Sequence, residues 1–323
     1  MVKSVYEAAG LTCPSCGKIA WDSTEDLMTC SACGSEYPLD EGVLRMDGDA
    51  SGDEISRYYS VLDGTHFVGA LFETNPLVYI MNRGYQRFLD SLALKPSSIL
   101  LDFGCGDGRL SLWAAERGFQ LVVAIDRNPA SLKRLAAEAK KRELKNLVIV
   151  CANATNPPFK SGTFDAVLCF EVLYYLVPAL GRTGAIGLPA RLLKPDGMMV
   201  VGELSRLGRA LIDIDAMNLE NARSLLQTSM RFEKFADSRI SVFQWSVAEL
   251  RADVTEAGFK VVRETGISPV AALFNYAWSF TSYPLRPRLD SALRELIEAL
   301  SDQTEGAYET ARNVVFALER QAN

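Results

Sequence analysis

A glycine-rich turn between an apolar run and a helical pattern constrains the fold of this chain more than any other feature. The apolar run is Ser98–Phe103, and Gly104, Gly106 and Gly108 follow it before a helical pattern over Arg109–Arg117. Glycine permits a sharp turn and the close approach of a ligand, and the next helix offers free N–H groups at its N-terminus. The turn therefore predicts an α/β sheet with a ligand site at the end of a buried strand.

Short apolar runs alternate with helical patterns after this turn. Most of these runs are apolar on both faces, which is typical of buried parallel strands. The predicted strands are Ser98–Phe103, Gln120–Asp126, Asn146–Cys151, Phe164–Phe170, Met198–Glu203, Phe259–Thr265 and Asn313–Leu318. The predicted helices between them are Arg109–Arg117, Pro129–Glu143, Gly187–Leu193 and Ser246–Ala257. The pattern predicts a doubly wound, mainly parallel, seven-stranded α/β sheet.

Four cysteines near the N-terminus form two C-x2-C pairs. Thirteen residues separate the pair Cys13 and Cys16 from the pair Cys30 and Cys33. This spacing favours zinc held by four thiolates, in a structural role because no ligand position is left for water. A redox motif and unpaired core cysteines are the alternatives, but a redox motif does not explain two pairs. The odd total of seven cysteines argues against a disulfide framework.

The charge of the chain is distributed unevenly. The 323 residues carry a formal net charge of −6, but residues 1–56 alone carry −8 and the remainder carries +2. Recruitment of nucleic acid or of an anionic membrane by bulk charge is therefore not expected. No apolar run approaches the ~20 residues of a membrane helix, and we see no secretory signal, so we expect a cytoplasmic protein.

The composition divides the chain into three predicted parts. Residues 1–50 form a zinc-ribbon module, and residues 51–95 form a linker followed by a helical lid. Residues 96–323 form the main domain, with insertions predicted at about 204–243 and 268–309. Loops of this length are often functional, and the second insertion is rich in aromatic residues, which suggests contact with the substrate, a helix or a second subunit.

Three further segments accompany the glycine-rich turn. Asp126 ends the second predicted strand, where a carboxylate accepts hydrogen bonds from ribose hydroxyls or simply caps a helix. The other two are Cys151–Phe159 and Leu192–Gly197. Taken in order, the four segments resemble the class I S-adenosylmethionine (SAM) methyltransferases. The resemblance covers about Tyr58–Glu203 and implies a Rossmann-like sheet and SAM as the cofactor.

The resemblance also implies roles for individual residues. Asp102 and backbone carbonyls near Phe170 would hold the methionyl amino group, and Asp126 would hold the ribose hydroxyls. Asn153 would take the adenine amino group and the Ala154 N–H an adenine ring nitrogen. Most family members have Asp at the position of Asn153, but Asn keeps a side-chain acceptor. The implied cofactor-binding set is Asp102, Gly104, Cys105, Gly106, Gly108, Asp126, Arg127, Asn153, Ala154 and Phe170.

Methyl transfer from a sulfonium is an in-line displacement, to which an enzyme contributes mainly proximity, alignment and water exclusion. A base is needed only when the acceptor must lose a proton. The candidate catalytic residues are His66, Glu171 and Tyr174. His66 is the only histidine and has a suitable pKa, and the other two follow the fourth predicted strand. Packing or surface roles are the alternative for each of them.

The N-terminal module permits several functions. Cys13–Met46 resembles the small zinc-ribbon proteins that activate methyltransferases of the translation machinery, and such ribbons also occur fused to bacterial methyltransferases. We expect a SAM-dependent methyltransferase that carries out O- or N-methylation of a small-molecule acceptor. An RNA methyltransferase is the first alternative, because certain ribosomal-RNA guanine methyltransferases carry a ribbon. A non-catalytic SAM-fold binding partner is the second, and a homodimer or a protein partner bound through the ribbon stays open.

Overall fold

The computed structural model describes residues 2–47, 76–215, 217–235, 238–267 and 311–321. His66, most of the predicted linker and lid, and all of the insertion predicted at 268–309 lie outside the described residues. The division of the chain at residues 50 and 95 therefore stays a prediction. None of the helices in the described ranges combines the length and the apolarity that a membrane span requires.

The N-terminal part is built from one helix and four short strands. They are α1 (Val2–Ala8), β1 (Trp21–Ser23), β2 (Leu27–Cys30), β3 (Glu36–Asp40) and β4 (Val43–Arg45). Strands β1 to β4 form an antiparallel meander. Trp21 and Met28 are fully buried in it, and the indole N–H of Trp21 donates to the Leu11 carbonyl at 2.8 Å. This core is small, which is why a module of this size is typically stabilised by a metal.

The remaining described residues form an alternating α/β arrangement. Its first half is α2 (Pro76–Asp90), β5 (Ile99–Phe103), α3 (Arg109–Glu116), β6 (Leu121–Asp126), α4 (Pro129–Lys141), β7 (Leu147–Cys151) and β8 (Phe164–Phe170). Its second half is α5 (Leu173–Ala190), β9 (Leu193–Leu204), α6 (Arg206–Asp215), α7 (Leu219–Thr228), β10 (Met230–Phe235), β11 (Ser238–Phe243), α8 (Val247–Glu256), β12 (Phe259–Ile267) and β13 (Asn313–Arg320).

One eleven-stranded sheet runs through both parts, in the order β1-β2-β3-β4-β7-β6-β5-β8-β9-β13-β12. The last seven strands confirm the predicted Rossmann-like sheet, in which β13 alone runs antiparallel to its neighbours. Strand β4 pairs in parallel with β7, with Val43 opposite Ile149 and Arg45 opposite Cys151. The N-terminal module therefore extends the main sheet at its edge.

Helices cover both faces of the main sheet because adjacent strand residues point to opposite sides. Leu100 and Val200 belong to the core beneath α2 and α3. Leu101 and Val201 belong to the core on the opposite face, beneath α5 and α8. All four of these side chains are fully buried, as the apolar runs predicted.

The structure differs from the prediction around α5. The short helix predicted over Gly187–Leu193 is the end of a longer helix, and Lys194–Gly197, predicted as a turn, belongs to β9. The helix contains Pro178 and breaks at Gly181, whose φ is 69° and ψ is 172°. Helix breakers within a real helix hide its periodicity in the sequence. The insertion predicted at 204–243 contains two helices and the hairpin β10–β11.

Candidate functional site

The glycine-rich loop joins β5 to α3, and its three glycines all have positive φ, with values of 74° at Gly104, 54° at Gly106 and 79° at Gly108. A Cβ at Gly104 would lie 2.3 Å from Val172, and a Cβ at Gly108 would lie 2.3 Å from Leu135. A Cβ at Gly106 would have no atom within 4 Å. Packing therefore requires glycine at the two ends of the loop, whereas Gly106 faces open space that a ligand can occupy.

The carboxylate of Asp126 connects this loop to the end of β6. Its Oδ2 accepts a hydrogen bond from the Gly106 N–H at 2.9 Å, and its Oδ1 accepts one from the Asn128 N–H at 2.9 Å. Burial raises the pKa of Asp126, and these N–H groups oppose the rise. Each carboxylate oxygen keeps a further lone pair, so the side chain can still accept hydrogen bonds from hydroxyl groups.

Asp102 lies beneath the same loop and is 3% exposed. The Ser111 hydroxyl donates to its Oδ2 at 2.6 Å. Burial raises the pKa of Asp102 from 3.8 to about 6. The charge of Arg109 opposes this rise without cancelling it, so a positively charged ligand group would further stabilise the ionised form.

We expect Asp102→Asn to remove a pH dependence of stability. The folded-state pKa exceeds the ordinary value of 3.8, so the folded protein binds the proton more tightly, and its stability falls as the pH rises from about 4 to about 6. The fall attributable to Asp102 is roughly 3 kcal/mol. Urea unfolding of both proteins at a series of pH values measures it, and parallel profiles would contradict the expectation.

The loop after β7 contains Asn153 and Ala154. The Asn153 Oδ1 accepts hydrogen bonds from the backbone N–H and the hydroxyl of Thr155, both at 3.0 Å. The resemblance assigns Asn153 Oδ1 to the adenine amino group, but this oxygen already accepts two hydrogen bonds within its own turn. The Nδ2 group of Asn153 takes no part in these two bonds. Arg127 directly follows Asp126, and its backbone carbonyl lies 3.7 Å from the Cys151 thiol.

The N-terminal module holds this loop at both ends, which the sequence did not indicate. The Met46 N–H donates to the Cys151 carbonyl at 2.8 Å, before the loop. After the loop, the Thr12 N–H donates to the Pro158 carbonyl at 2.8 Å, and Leu11 forms an antiparallel bridge with Phe159. The module and the predicted adenine site are therefore mechanically connected.

The four N-terminal cysteines lie together. Their sulfur atoms are all within 4.8 Å of one another, and they form the one such cluster of His, Cys, Asp and Glu found among the described residues. The distances between Cys13 and Cys33, and between Cys16 and Cys30, are both 3.6 Å. Tetrahedral zinc with bonds of about 2.3 Å to sulfur places the thiolates roughly 3.8 Å apart. The donor set therefore fits zinc.

Glu171 follows β8 in the left-handed region, with a φ of 56°. Its Oε1 accepts from the Tyr85 hydroxyl at 2.8 Å, from Arg109 at 3.2 Å and from the Asn313 amide at 3.4 Å. Burial favours the neutral acid, but the charges of Arg109 and Arg312 hold the pKa of Glu171 below its ordinary value. An ionised carboxylate with three donors is suited to fixing a negative charge rather than to accepting a proton.

Phe170 and Tyr174 lie on either side of Glu171 and are both buried. The Phe170 ring contacts the Tyr85 ring edge-to-face, with the centroids 4.8 Å apart. The Tyr174 ring packs against that of Tyr175 at 4.2 Å. The structure thus places Glu171 next to the glycine-rich loop through Arg109, whereas Tyr174 packs in the core.

Part of the chain is similar in sequence to known proteins. Residues 101–201 match a family model described as a methyltransferase domain. The chain is 37% identical over 114 residues to nocamycin O-methyltransferase from Saccharothrix syringae, covering 35% of this chain and 40% of that protein. It is 25% identical over 146 residues to an 18S rRNA (guanine-N(7))-methyltransferase from Schizosaccharomyces pombe, covering 45% and 52%.

The fold also matches solved structures. An SAM-dependent methyltransferase from Methanosarcina mazei superposes with a TM-score of 0.50 at 16% identity, over 71% of this chain and 95% of that one. At this identity the match shows a shared fold. The chain spans about half the length of the curated relatives that it matches.

Proposed function

We propose that this chain, whose core belongs to the class I SAM-dependent methyltransferases, binds SAM at the Gly104–Gly108 loop and transfers its methyl group to a small molecule. The observation that carries the proposal is the hydrogen bond that the Gly106 N–H donates to the Asp126 carboxylate. This bond holds the carboxylate beside the open face of the loop, where we assign it to the ribose hydroxyls. Asp102, buried beneath the same loop, supplies a negative charge for the methionyl ammonium group.

The reaction proposed is an in-line displacement at the methyl carbon. SAM supplies an activated methyl group, and this chain's residues orient it and exclude water. Asp126 and the loop would fix the nucleoside, and the carboxyl ends of β8 and β9 would position the acceptor.

A small-molecule acceptor, methylated on oxygen or nitrogen, fits this chain better than RNA. Residues 1–56, which include the N-terminal module, carry a net charge of −8 and would repel a phosphate backbone. One matched relative is named as an O-methyltransferase, which agrees with this acceptor class. Another is named as an rRNA methyltransferase, so RNA is the outcome that the experiment must be able to detect.

We also propose that Cys13, Cys16, Cys30 and Cys33 bind one structural Zn²⁺. The sulfur separations support this assignment, and Tyr37 lies 3.3 Å from the Cys13 sulfur, where its hydroxyl can donate to a thiolate. Metal analysis of the purified chain should give one zinc per molecule, and a chain that folds without metal would refute the assignment.

Transfer of a labelled methyl group, which converts SAM into S-adenosylhomocysteine (SAH), tests the activity. Zinc-replete protein is incubated with methyl-labelled SAM and either a small-molecule extract or total RNA, and the label is followed into each fraction. We expect label in the small-molecule fraction and a large loss of it in Asp126→Ala. Label in RNA would establish the alternative acceptor. Bound SAM without label in either fraction would indicate a non-catalytic binding protein.

A further inference from the structure

Two arginines at the end of β9 are incompletely paired. Arg312 directly precedes β13, and its carbonyl accepts a hydrogen bond from the Ser205 N–H at 2.8 Å, one residue past β9. Arg209 lies one helical turn further along, in α6. The Nε atoms of both arginines are buried without a hydrogen-bond partner. Buried guanidinium donors that lack partners require an explanation, and a ligand is one.

The acids near these arginines are already engaged. Asp213 lies 3.6 Å from an Nη of Arg209, but Arg231 binds both of its oxygens at 2.8 and 3.2 Å. Arg231 also binds Glu233 at 2.9 Å. The charge of Arg312 acts on Glu171, which Tyr85, Arg109 and Asn313 already hold by hydrogen bonds.

The arginines of this cluster oppose one another's charge. Burial lowers the pKa of Arg209, and the charges of Arg231 and Arg312 lower it further. Asp213 and Glu233 oppose this effect, but Arg231 binds both of them. An anion bound at the unpaired Nε atoms of Arg209 and Arg312 would offset the cost of burying these like charges.

The cluster lies at the edge of the sheet where a ligand would bind. Asn313 pairs with Leu204 in the sheet, so Arg312 stands at the carboxyl end of β9, one strand away from Glu171 at the end of β8. Ligands of open α/β sheets bind at this edge. Asn313 is fully buried, and its Oδ1 also has no hydrogen-bond partner. The unpaired Nε of Arg312 and the unpaired Oδ1 of Asn313 therefore lie at the edge of the sheet where we place the molecule that receives the methyl group.

We infer that Arg312 and Arg209 form a binding site for an anionic group, a carboxylate or phosphate, of the methyl acceptor. This inference rests on the proposed function and deepens it, since it makes the acceptor an anionic small molecule. Guanidinium groups bind such oxyanions through paired hydrogen bonds. Asn313 would then accept a hydrogen bond from a hydroxyl or amine of the same acceptor.

The test uses small anions as probes on the full, zinc-replete chain saturated with SAH. Acetate and inorganic phosphate are titrated at constant ionic strength while the melting temperature is recorded, with acetamide as the neutral control. We expect both anions to stabilise the wild-type complex and acetamide to have no effect. In Arg312→Gln the apparent affinity for phosphate should fall at least about tenfold, whereas Arg312→Lys should retain part of it.

Two controls separate this site from a structural role. Arg320 lies at the opposite end of β13, where its guanidinium donates to the Ala190 carbonyl, so Arg320→Gln should keep the anion response. Without ligands, Arg312→Gln should melt close to the wild type, because Tyr85, Arg109 and Asn313 still hold Glu171. A lower melting temperature together with an unchanged anion response would mean that Arg312 is structural, and would overturn the inference.

The source of the anion is tested with two nucleosides. SAH carries the methionyl carboxylate, and 5′-methylthioadenosine lacks it. If Arg312→Gln weakens binding of SAH but not of methylthioadenosine, the arginine holds the cofactor and the acceptor assignment is wrong. Equal anion responses in wild type and Arg312→Gln would also overturn it. Failure of wild-type protein to bind either nucleoside would instead refute the proposed function.

Discussion

Replacing Cys13 with serine is expected to lower the melting temperature by about 10 °C and to weaken SAH binding about tenfold. We expect the stability loss because the hydrophobic core of the N-terminal module is small, so that metal binding supplies much of its stability. The binding loss follows because Thr12, the residue before Cys13, is hydrogen-bonded to Pro158, and Met46 is hydrogen-bonded to Cys151. Loosening the module should therefore loosen the loop that contains Asn153.

Ser31→Ala is the matched control, because Ser31 lies between Cys30 and Cys33 and is exposed. It should bind zinc, melt and bind SAH like the wild type. Melting is followed by calorimetry and SAH binding by titration, on samples whose zinc content has been measured. If Cys13→Ser lost its zinc but kept wild-type SAH affinity, the module would be structurally independent of the cofactor site.

Gly106→Ala is expected to weaken SAH binding more than tenfold while the protein still folds. Alanine in the left-handed region costs roughly 1–2 kcal/mol. The new methyl group would meet no protein atom, because nothing lies within 4 Å of that position. It would project into the open space of the loop, where we place the cofactor. The effect on binding should thus exceed the effect on stability.

Gly118 provides an unusually close control for this substitution. Its φ is 73°, and a Cβ there would also meet nothing within 4 Å, but it lies beyond α3, away from the loop. Gly118→Ala should lose about the same stability as Gly106→Ala and bind SAH normally. Chemical unfolding and SAH titration of the two variants compare them directly. Equal SAH affinity in both would show that the space at Gly106 is not the cofactor site.

The parts of this molecule that depend on local sequence were predictable. Phe164–Phe170 is apolar except for Asp165 and forms a buried strand with the predicted bounds. The two cysteine pairs meet as their spacing indicated. Gly104 and Gly108 occupy left-handed positions at which a side chain would collide with Val172 and Leu135.

The parts that depend on contacts distant in sequence were not predictable. Strand β4 has only three residues, and nothing in Val43–Arg45 specifies pairing with Ile149 and its neighbours. The pairing depends on the fold of the main sheet, which leaves one edge of β7 available to β4. In the same way, Glu171 appeared as a candidate base, and its role changes because Tyr85 and Asn313 approach it from distant elements.

Calorimetric titration of the zinc-replete chain with SAH tests the central claim most directly. NAD serves as the control nucleotide, and Asp126→Ala is titrated alongside. The account predicts saturable SAH binding, no NAD binding, and a loss of more than about 1.4 kcal/mol, or tenfold, in the variant. Absence of SAH binding by folded protein free of co-purified nucleoside, or wild-type affinity in Asp126→Ala, would contradict the assignment of this loop as the cofactor site.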